Sequence, residues 1–384
     1  MSDARGREAA PEVPDVDDAP IAPVSVEIAV GNGPISDIAV TADGSRLMVT
    51  NFGRNSVSVI DADRCRVVNT VEGIDEPFAI ATGGLTTNRA YVSTVSPAYD
   101  AIAVIDMSNN TVVATHQLAL SVSDLAVCPL GRRVYASRNG AKFADLAVLD
   151  TATGRVDAID LGSPEPGATT ECVRVAPDGN RAYVGVNGPA GGRLVMIGAP
   201  ARSDETVTTP RPSWRQRRPI RAGEQADLRV VGSVAIGLPI RGVALSPDGA
   251  LAYVASCDPE VGAVVDVIDT RTDKITSTRK LGDIGIVTGL TLSADGDRAY
   301  LVSDDRVTVL CTLTHDVIAT LGVPAQPSCL VESPDATHLY IADYSGTVTV
   351  TPVASTNPLA IESAASEGGV PAAWLMPELE PALT

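Results

Sequence analysis

The sequence predicts an all-β fold, a seven-bladed β-propeller closed by an N-terminal strand that completes the last blade. Three observations predict it. A strand of the type Arg-Ala-Tyr-Val recurs seven times along the 384 residues, centred on Met48, Tyr91, Tyr135, Tyr183, Tyr253, Tyr300 and Tyr340, so six of the eight tyrosines occupy one position of a repeat. All but one of the steps between these anchors fall between 40 and 48 residues, the period of a four-stranded propeller blade. The last unit lacks a fourth strand, and a spare apolar strand, VSVEIAV at 24–30, lies at the other end of the chain and matches VGSVAIG at 231–237.

Each unit can be read strand by strand. A first apolar strand ends in a turn, and Asp43-Gly44, Asp178-Gly179, Asp248-Gly249 and Asp295-Gly296 mark that turn in four units. Asp-Gly suits a tight hairpin because glycine takes a positive φ without a Cβ clash. The second strand carries the repeat anchor. The third follows as SVSVID (56–61), AIAVID (101–106), DLAVLD (145–150), RLVMIG (193–198), VVDVID (264–269), RVTVLC (306–311) and TVTVTP (347–352). A fourth ends the unit, as in VVNTV (67–71) and VVATHQL (112–118). Blade sheets are covered on both faces, so near-continuous Val/Ile/Leu strands are expected in place of clean alternation. Aliphatic packing also explains how a core forms with 2 Trp, 8 Tyr and 3 Phe. The propeller is expected over residues 24–355, between a disordered acidic tail (1–23) and a flexible C-terminal tail (356–384).

The blade text GVALSPDGALAYVAS (242–256) followed by VVDVIDTRTDKI (264–275) resembles the YVTN-repeat family of seven-bladed propellers, related to surface-layer and lactonase-like propellers. The resemblance covers the whole of the predicted propeller. It implies a disk that binds protein, nucleic acid or a ligand, often without catalysis. Its motif encodes turns and core, so fold analogy alone transfers no activity. Many relatives look exported, whereas the N-terminus here, MSDARGREAAPEVPDVDDAP, has no apolar h-region. The expected compartment is therefore the cytoplasm.

The net charge of −18 disfavours nucleic acid and anionic lipid unless a local basic patch overrides it. No apolar run approaches the roughly 20 residues of a membrane helix. Cys65, Cys128, Cys172, Cys257, Cys311 and Cys329 are widely spaced, without C-x-x-C or ligand-spaced His, and read as reduced thiols. No metal site, cofactor or catalytic residue is expected. His116, His315 and His338 lie away from the predicted mouth, and nucleophile elbows and phosphate loops are absent.

The first strand of each blade should line a central channel, a usual docking place for ligands. Asp37, Asp124, Glu171 and Arg241 hold early positions of these strands, with Arg174 deeper. Glu171 and Arg241 are equivalent in adjacent blades and are expected to pair across the mouth. The loops between second and third strands should share this face. Arg54, Arg138 and Lys142, with Tyr99 and Phe143, predict a basic half. Asp258, Glu260, Asp304, Asp305 and Asp343, with Tyr344, predict an acidic half.

The one long step, from Tyr183 to Tyr253, marks an insertion at 200–227, between the third and fourth strands of blade four. Its core contains Arg211, Trp214, Arg215, Arg217, Arg218 and Arg221 and no acid, a +5 arm on a chain whose remainder sums to −23. The arm reads as a solubilised loop that folds back on the acidic disk, as a partner-binding contact with Trp214 as anchor, or as a grip on single-stranded nucleic acid with arginine forks and Trp214 stacking. The expected function is a non-catalytic, monomeric binding scaffold for a protein partner or small polar ligand, without membrane contact. A lactonase-like hydrolase or isomerase using Glu171, Arg174 and Arg241 is the alternative, and nucleic-acid binding through the arm is a further one.

Overall fold

The structure, a computed structural model, describes residues 25–84, 87–95, 100–140, 143–162, 167–199, 228–282, 284–323 and 325–353. It consists of seven four-stranded antiparallel sheets. Six blades use four consecutive strands each, and their first strands are Ile35–Val40, Ile80–Thr82, Ser121–Val127, Thr169–Val175, Ile240–Leu245 and Val287–Leu292. The seventh joins Pro327–Glu332, His338–Asp343 and Thr347–Pro352 to Val26–Ala29 from the other end of the chain. That closing strand runs antiparallel to the blade's third strand, with Val26 opposite Val350 and Ala29 opposite Thr347.

Second strands match the repeat closely. They run Arg46–Asn51, Arg89–Thr94, Arg298–Ser303 and His338–Asp343 where expected, and extend by one or two residues in blades three to five. The extension in blade four arises because GPAGGR is a tight hairpin, with Gly188 opposite Gly191. All seven anchors are buried, Tyr300 completely. The hydrophobic clusters straddle neighbouring blades. One joins Met48, Val57 and Val59 of blade one to Ile80, Val92 and Ile105 of blade two. Another joins Ile28 of the closing strand and Val30 just after it to Tyr340 and Val350 of blade seven and Leu47 and Ile60 of blade one. Stability therefore resides between blades as much as within them.

The first turn is braced by side chains. Thr41, Ser246, Ser293 and Ser333 donate hydroxyl hydrogen bonds to Asp43, Asp248, Asp295 and Asp335 at 2.5–2.6 Å. These aspartates also accept a backbone N–H two residues on. Gly249 sits at φ +71°, where an added Cβ would stand 3.1 Å from Pro177 of the preceding blade. Blade seven has Ala336 at φ +57° in place of glycine. The residue corresponding to Pro177 in the blade before it is Ala294, which is smaller and whose N–H donates to Glu332 at 2.7 Å.

The strand pairings set the two faces. The start of each first strand, the end of the second and the start of the third lie at one end, as in Ile35 opposite Asn51 and Asn51 opposite Ser56. This is the mouth face. The basic insertion leaves from the opposite end, since its flanks Gly198 and Arg229 pair there. Arg211, Trp214, Arg215, Arg217, Arg218 and Arg221 lie outside the described residues, as do both tails, Tyr99 and Lys142.

Candidate functional site in the channel mouth

A bulge near the start of the channel strand repeats in six blades. Register shifts occur at Ile35/Ile38, Val122/Asp124, Thr170/Cys172, Ile240/Gly242, Val287/Gly289 and Pro327/Cys329. An inserted residue bends the strand and re-aims its side chain. Alignment on the anchor residues then defines stacked rings around the axis. The outermost ring is Ser36, Phe78, Ser123, Glu171, Arg241, Thr288 and Ser328. Below it lie Asp37, Ala79, Asp124, Cys172, Gly242, Gly289 and Cys329. Arg174 belongs to a deeper ring, with Ala126 and Ala244 at the same level. These rings enclose a cavity of about 210 Å³ that brings Asp37, Asp124, Glu171, Arg174 and Arg241 together.

The two aspartates do the same job in different blades. Asp37 accepts from Ile38 N–H and, across the blade boundary, from Ile80 N–H, both at 2.8 Å. Asp124 accepts from Leu125 N–H at 2.8 Å and from Val173 N–H in blade four at 2.9 Å. Each carboxylate thus clamps one channel strand to a neighbour. Asp124 also receives Arg174 at 2.5 Å, and Arg174 donates to Val173 C=O at 2.6 Å. The Asp124 charge beside it holds the Arg174 guanidinium firmly protonated.

Asp37 has no such cation in contact. Burial pushes its carboxyl up to about 7, aided by the like charge of Asp124 and opposed by the two amides. A carboxyl whose pKa is higher folded than unfolded binds extra protons in the native state between those two values, so stability falls as pH rises through that window. Unfolding free energy should therefore drop between about pH 4 and pH 7, and Asp37→Asn should flatten the drop. Asp335, held at about 2 chiefly by the Ser333 hydroxyl, has the opposite sign but acts only below that window. Equal slopes in wild type and variant, measured by urea unfolding across the range, would contradict this assignment.

Glu171 and Arg241 pair across the mouth as their equivalence predicts, although loosely, at 3.7 Å. Burial raises the Glu171 carboxyl, with Arg241 pulling it back down. Burial also pushes the Cys172 thiol up to about 12 and raises Cys329 well above the ordinary thiol range. All six cysteines are unpaired. Among the described residues no cluster of three or more His, Cys, Asp or Glu is arranged to hold a metal. His315 and His338 pack beside the anchors Tyr253 and Tyr340, away from the mouth.

The predicted split of the rim into basic and acidic halves needs correction. Arg138 is buried in a bidentate pair with Asp145 of the adjacent strand, both contacts at 2.7 Å. Asp343 is buried too, and accepts from Ser345 and Thr347 to shape its own hairpin. Asp305 is engaged by its neighbour Arg306. Glu72, Asp75 and Glu76 are exposed at the same end of the blade as Arg54, in the half expected to be basic. Arg138 lies within the strand Arg133–Asn139 and not in the loop, and strand pairing sets it against Asp145.

Sequence reasoning placed Phe143 and Tyr344 on this face but missed Phe52 and Phe78, which join them in an aromatic rim. Phe52, Phe78 and Phe143 are the only phenylalanines of the chain, and all three stand at the mouth end, 36%, 42% and 52% exposed. Phe52 and Phe78 meet edge-on at 6.4 Å. Tyr344, Val261 and Ile286 are also exposed at this end. The available signal was that these aromatics, unlike the repeat tyrosines, fall in the loops.

Comparison with known proteins gives relatives on the same scale. A seven-bladed β-propeller protein of Mycobacterium tuberculosis, Rv1057, is 56% identical over 388 aligned residues, 99% of this chain and 98% of that protein. A seven-bladed β-propeller protein of Mycolicibacterium smegmatis is 36% identical over 170 residues, 44% of this chain and 45% of the relative. Among solved structures, the hydrazine synthase of Kuenenia stuttgartiensis superimposes with a TM-score of 0.68 over 89% of this chain and 99% of that one. At 19% identity this is a likeness of fold alone. No family model matches the sequence.

Proposed function

The chain belongs to the family of seven-bladed β-propeller proteins, and from that premise we propose that it is a non-catalytic binding scaffold of the YVTN-repeat type whose mouth face receives its partner. The exposed aromatic rim carries this reading. Isolated apolar side chains on a surface are ordinary, but here every phenylalanine lies on one face, around a polar channel. Aromatic side chains are enriched at protein interfaces and recur among the few residues that carry most of the binding energy. The rigid disk holds these anchors in place before binding, which lowers the entropic cost of association.

The lactonase-like alternative requires carboxylates converging on a metal or an activated water. Asp37 and Asp124 instead spend both oxygens on backbone amides, which favours the scaffold. The basic arm, leaving from the opposite face, would supply a second and separate contact, to protein or to single-stranded nucleic acid. The cytoplasm remains the proposed compartment.

Native mass spectrometry of the protein isolated from its own host tests the reading, with wild type set against a Phe78→Ser, Phe143→Ser double variant. The expected result is a bound partner mass on wild type that is lost from the variant, at unchanged unfolding temperature. An unliganded wild type, or a partner retained by the variant, would overturn it.

A further inference from the structure

The outermost channel ring is not uniform, and its asymmetry points to a ligand class. On blades one and three the ring hydroxyls are committed to the fold. Ser36 contacts Thr50 at 2.8 Å and donates to Pro77 C=O and Phe78 C=O of the next blade. Ser123 contacts Ser137 at 2.9 Å and Thr170 of the next blade at 3.1 Å. On blades five to seven the corresponding groups are weakly engaged. Thr288 has only a long contact to Val302 C=O at 3.4 Å, and Ser328 only a 3.5 Å contact to Cys329 Sγ. Arg241 has its loose pair with Glu171, and its buried Nε lacks an acceptor. Three under-used donors therefore stand side by side on adjacent blades.

The ring below leaves room beside them. Gly242 is required by packing, because a Cβ there would lie 2.8 Å from Leu290 N. Gly289 is not so constrained. A Cβ on it would meet only Val302, at 4.0 Å, and its φ is not positive. Neither backbone conformation nor neighbouring atoms call for glycine at 289, yet its absent side chain keeps the cavity open beneath Thr288. The cavity's 210 Å³ amounts to roughly seven water volumes, room for a compact small molecule.

The facing arc, on blades one, three and four, bears Asp37, Asp124 and Glu171, with Arg174 spent on Asp124. Each arginine of the site already faces a carboxylate of an adjacent blade, Arg174 closely on Asp124 and Arg241 only loosely on Glu171, so the Arg241–Glu171 pair is the one a ligand can open. A bare anion would add negative charge to a protein already at −18, whereas a dipolar molecule of zero net charge satisfies both arcs. A carboxylate also offers an arginine the two-pronged acceptor that its single loose pair does not.

We propose that the channel mouth binds a free α-amino acid, its carboxylate on the arc of Arg241, Thr288 and Ser328 and its ammonium toward Glu171. This rests on the mouth face being the binding face, and names a ligand for the channel inside the aromatic rim. Binding replaces the loose Glu171–Arg241 pair by two pairs made through the ligand.

The test is a thermal-shift and calorimetric panel of the standard L-amino acids on the full chain, with propionate and butylamine as controls lacking one charged group. Wild type, Arg241→Ala, Glu171→Gln and Gly289→Leu are compared. At least one amino acid is expected to bind wild type, with its carboxylate-only and amine-only analogues weaker by about tenfold or more. Arg241→Ala and Gly289→Leu should lose about tenfold in affinity, the leucine by filling the cavity without disturbing the packing. Should Gly289→Leu fail to fold, Arg241→Ala and Glu171→Gln decide the matter. No response to any amino acid, propionate binding as tightly as alanine, or equal affinity in wild type and variants overturns the proposal. The partner mass lost on changing Phe78 and Phe143 is a separate readout, so an unresponsive panel leaves the scaffold reading standing.

Discussion

Removal of residues 1–30 is expected to lower the unfolding midpoint by roughly 10 °C and to make the protein aggregate. The deleted segment buries Ile28 and Val30 between blades seven and one. Burying two such side chains contributes about 3–6 kcal/mol, and each kcal/mol moves the midpoint of a large domain by about 2 °C or more. The pairing of Val26–Ala29 with Thr347–Val350 is lost as well, exposing an unpaired sheet edge that invites association with other chains. The loss is not confined to one blade. The cluster at the seam includes Leu47 and Ile60, so blade one loosens with blade seven. Differential scanning calorimetry with light scattering checks this, and unchanged cooperative unfolding of the truncated chain would refute closure by this strand.

Arg138→Ala is expected to cost about 3–5 kcal/mol, because it strands a buried carboxylate without its counter-charge. Arg138 and Asp145 are 6% and 7% exposed, and each guanidinium contact is 2.7 Å. An exposed ion pair, by contrast, contributes at most about 1 kcal/mol, so the measurement separates a buried strand pair from a solvated rim charge. Replacing both partners, Arg138→Met with Asp145→Leu, should recover most of the loss, since no charge is then left unpaired. Equilibrium urea unfolding reads both variants. A single variant as stable as wild type would contradict the buried pair.

The legible part of this protein is the part that repeats. Periodic apolar strands, Asp-Gly turns and the tyrosine anchors predicted blade number, strand order and closure, because each blade buries the same kinds of side chain in the same places. The equivalence of Glu171 and Arg241 followed from the same register, and the structure brings them within 3.7 Å. The same reasoning did not reach the roles of Asp37 and Asp124. Each carboxylate receives a backbone amide of a neighbouring blade, and only the assembled ring brings the two together.

Arg138, Asp343 and the phenylalanines mark the boundary more sharply. A charged residue beside a loop reads as exposed, yet pairing along Arg133–Asn139 and Ala144–Asp150 sets Arg138 against Asp145 and buries both. Phe52, Phe78 and Phe143 belong to separate blades and loops, and become one surface only when the blades close into a ring. Sequence alone thus determined the architecture, because propeller strands and turns are local choices repeated seven times. Tertiary structure alone decided which polar groups are clamps, which are buried pairs and which stay weakly engaged at the mouth. Those roles depend on hydrogen bonds and burial between blades, which join residues a whole repeat apart and carry no local pattern.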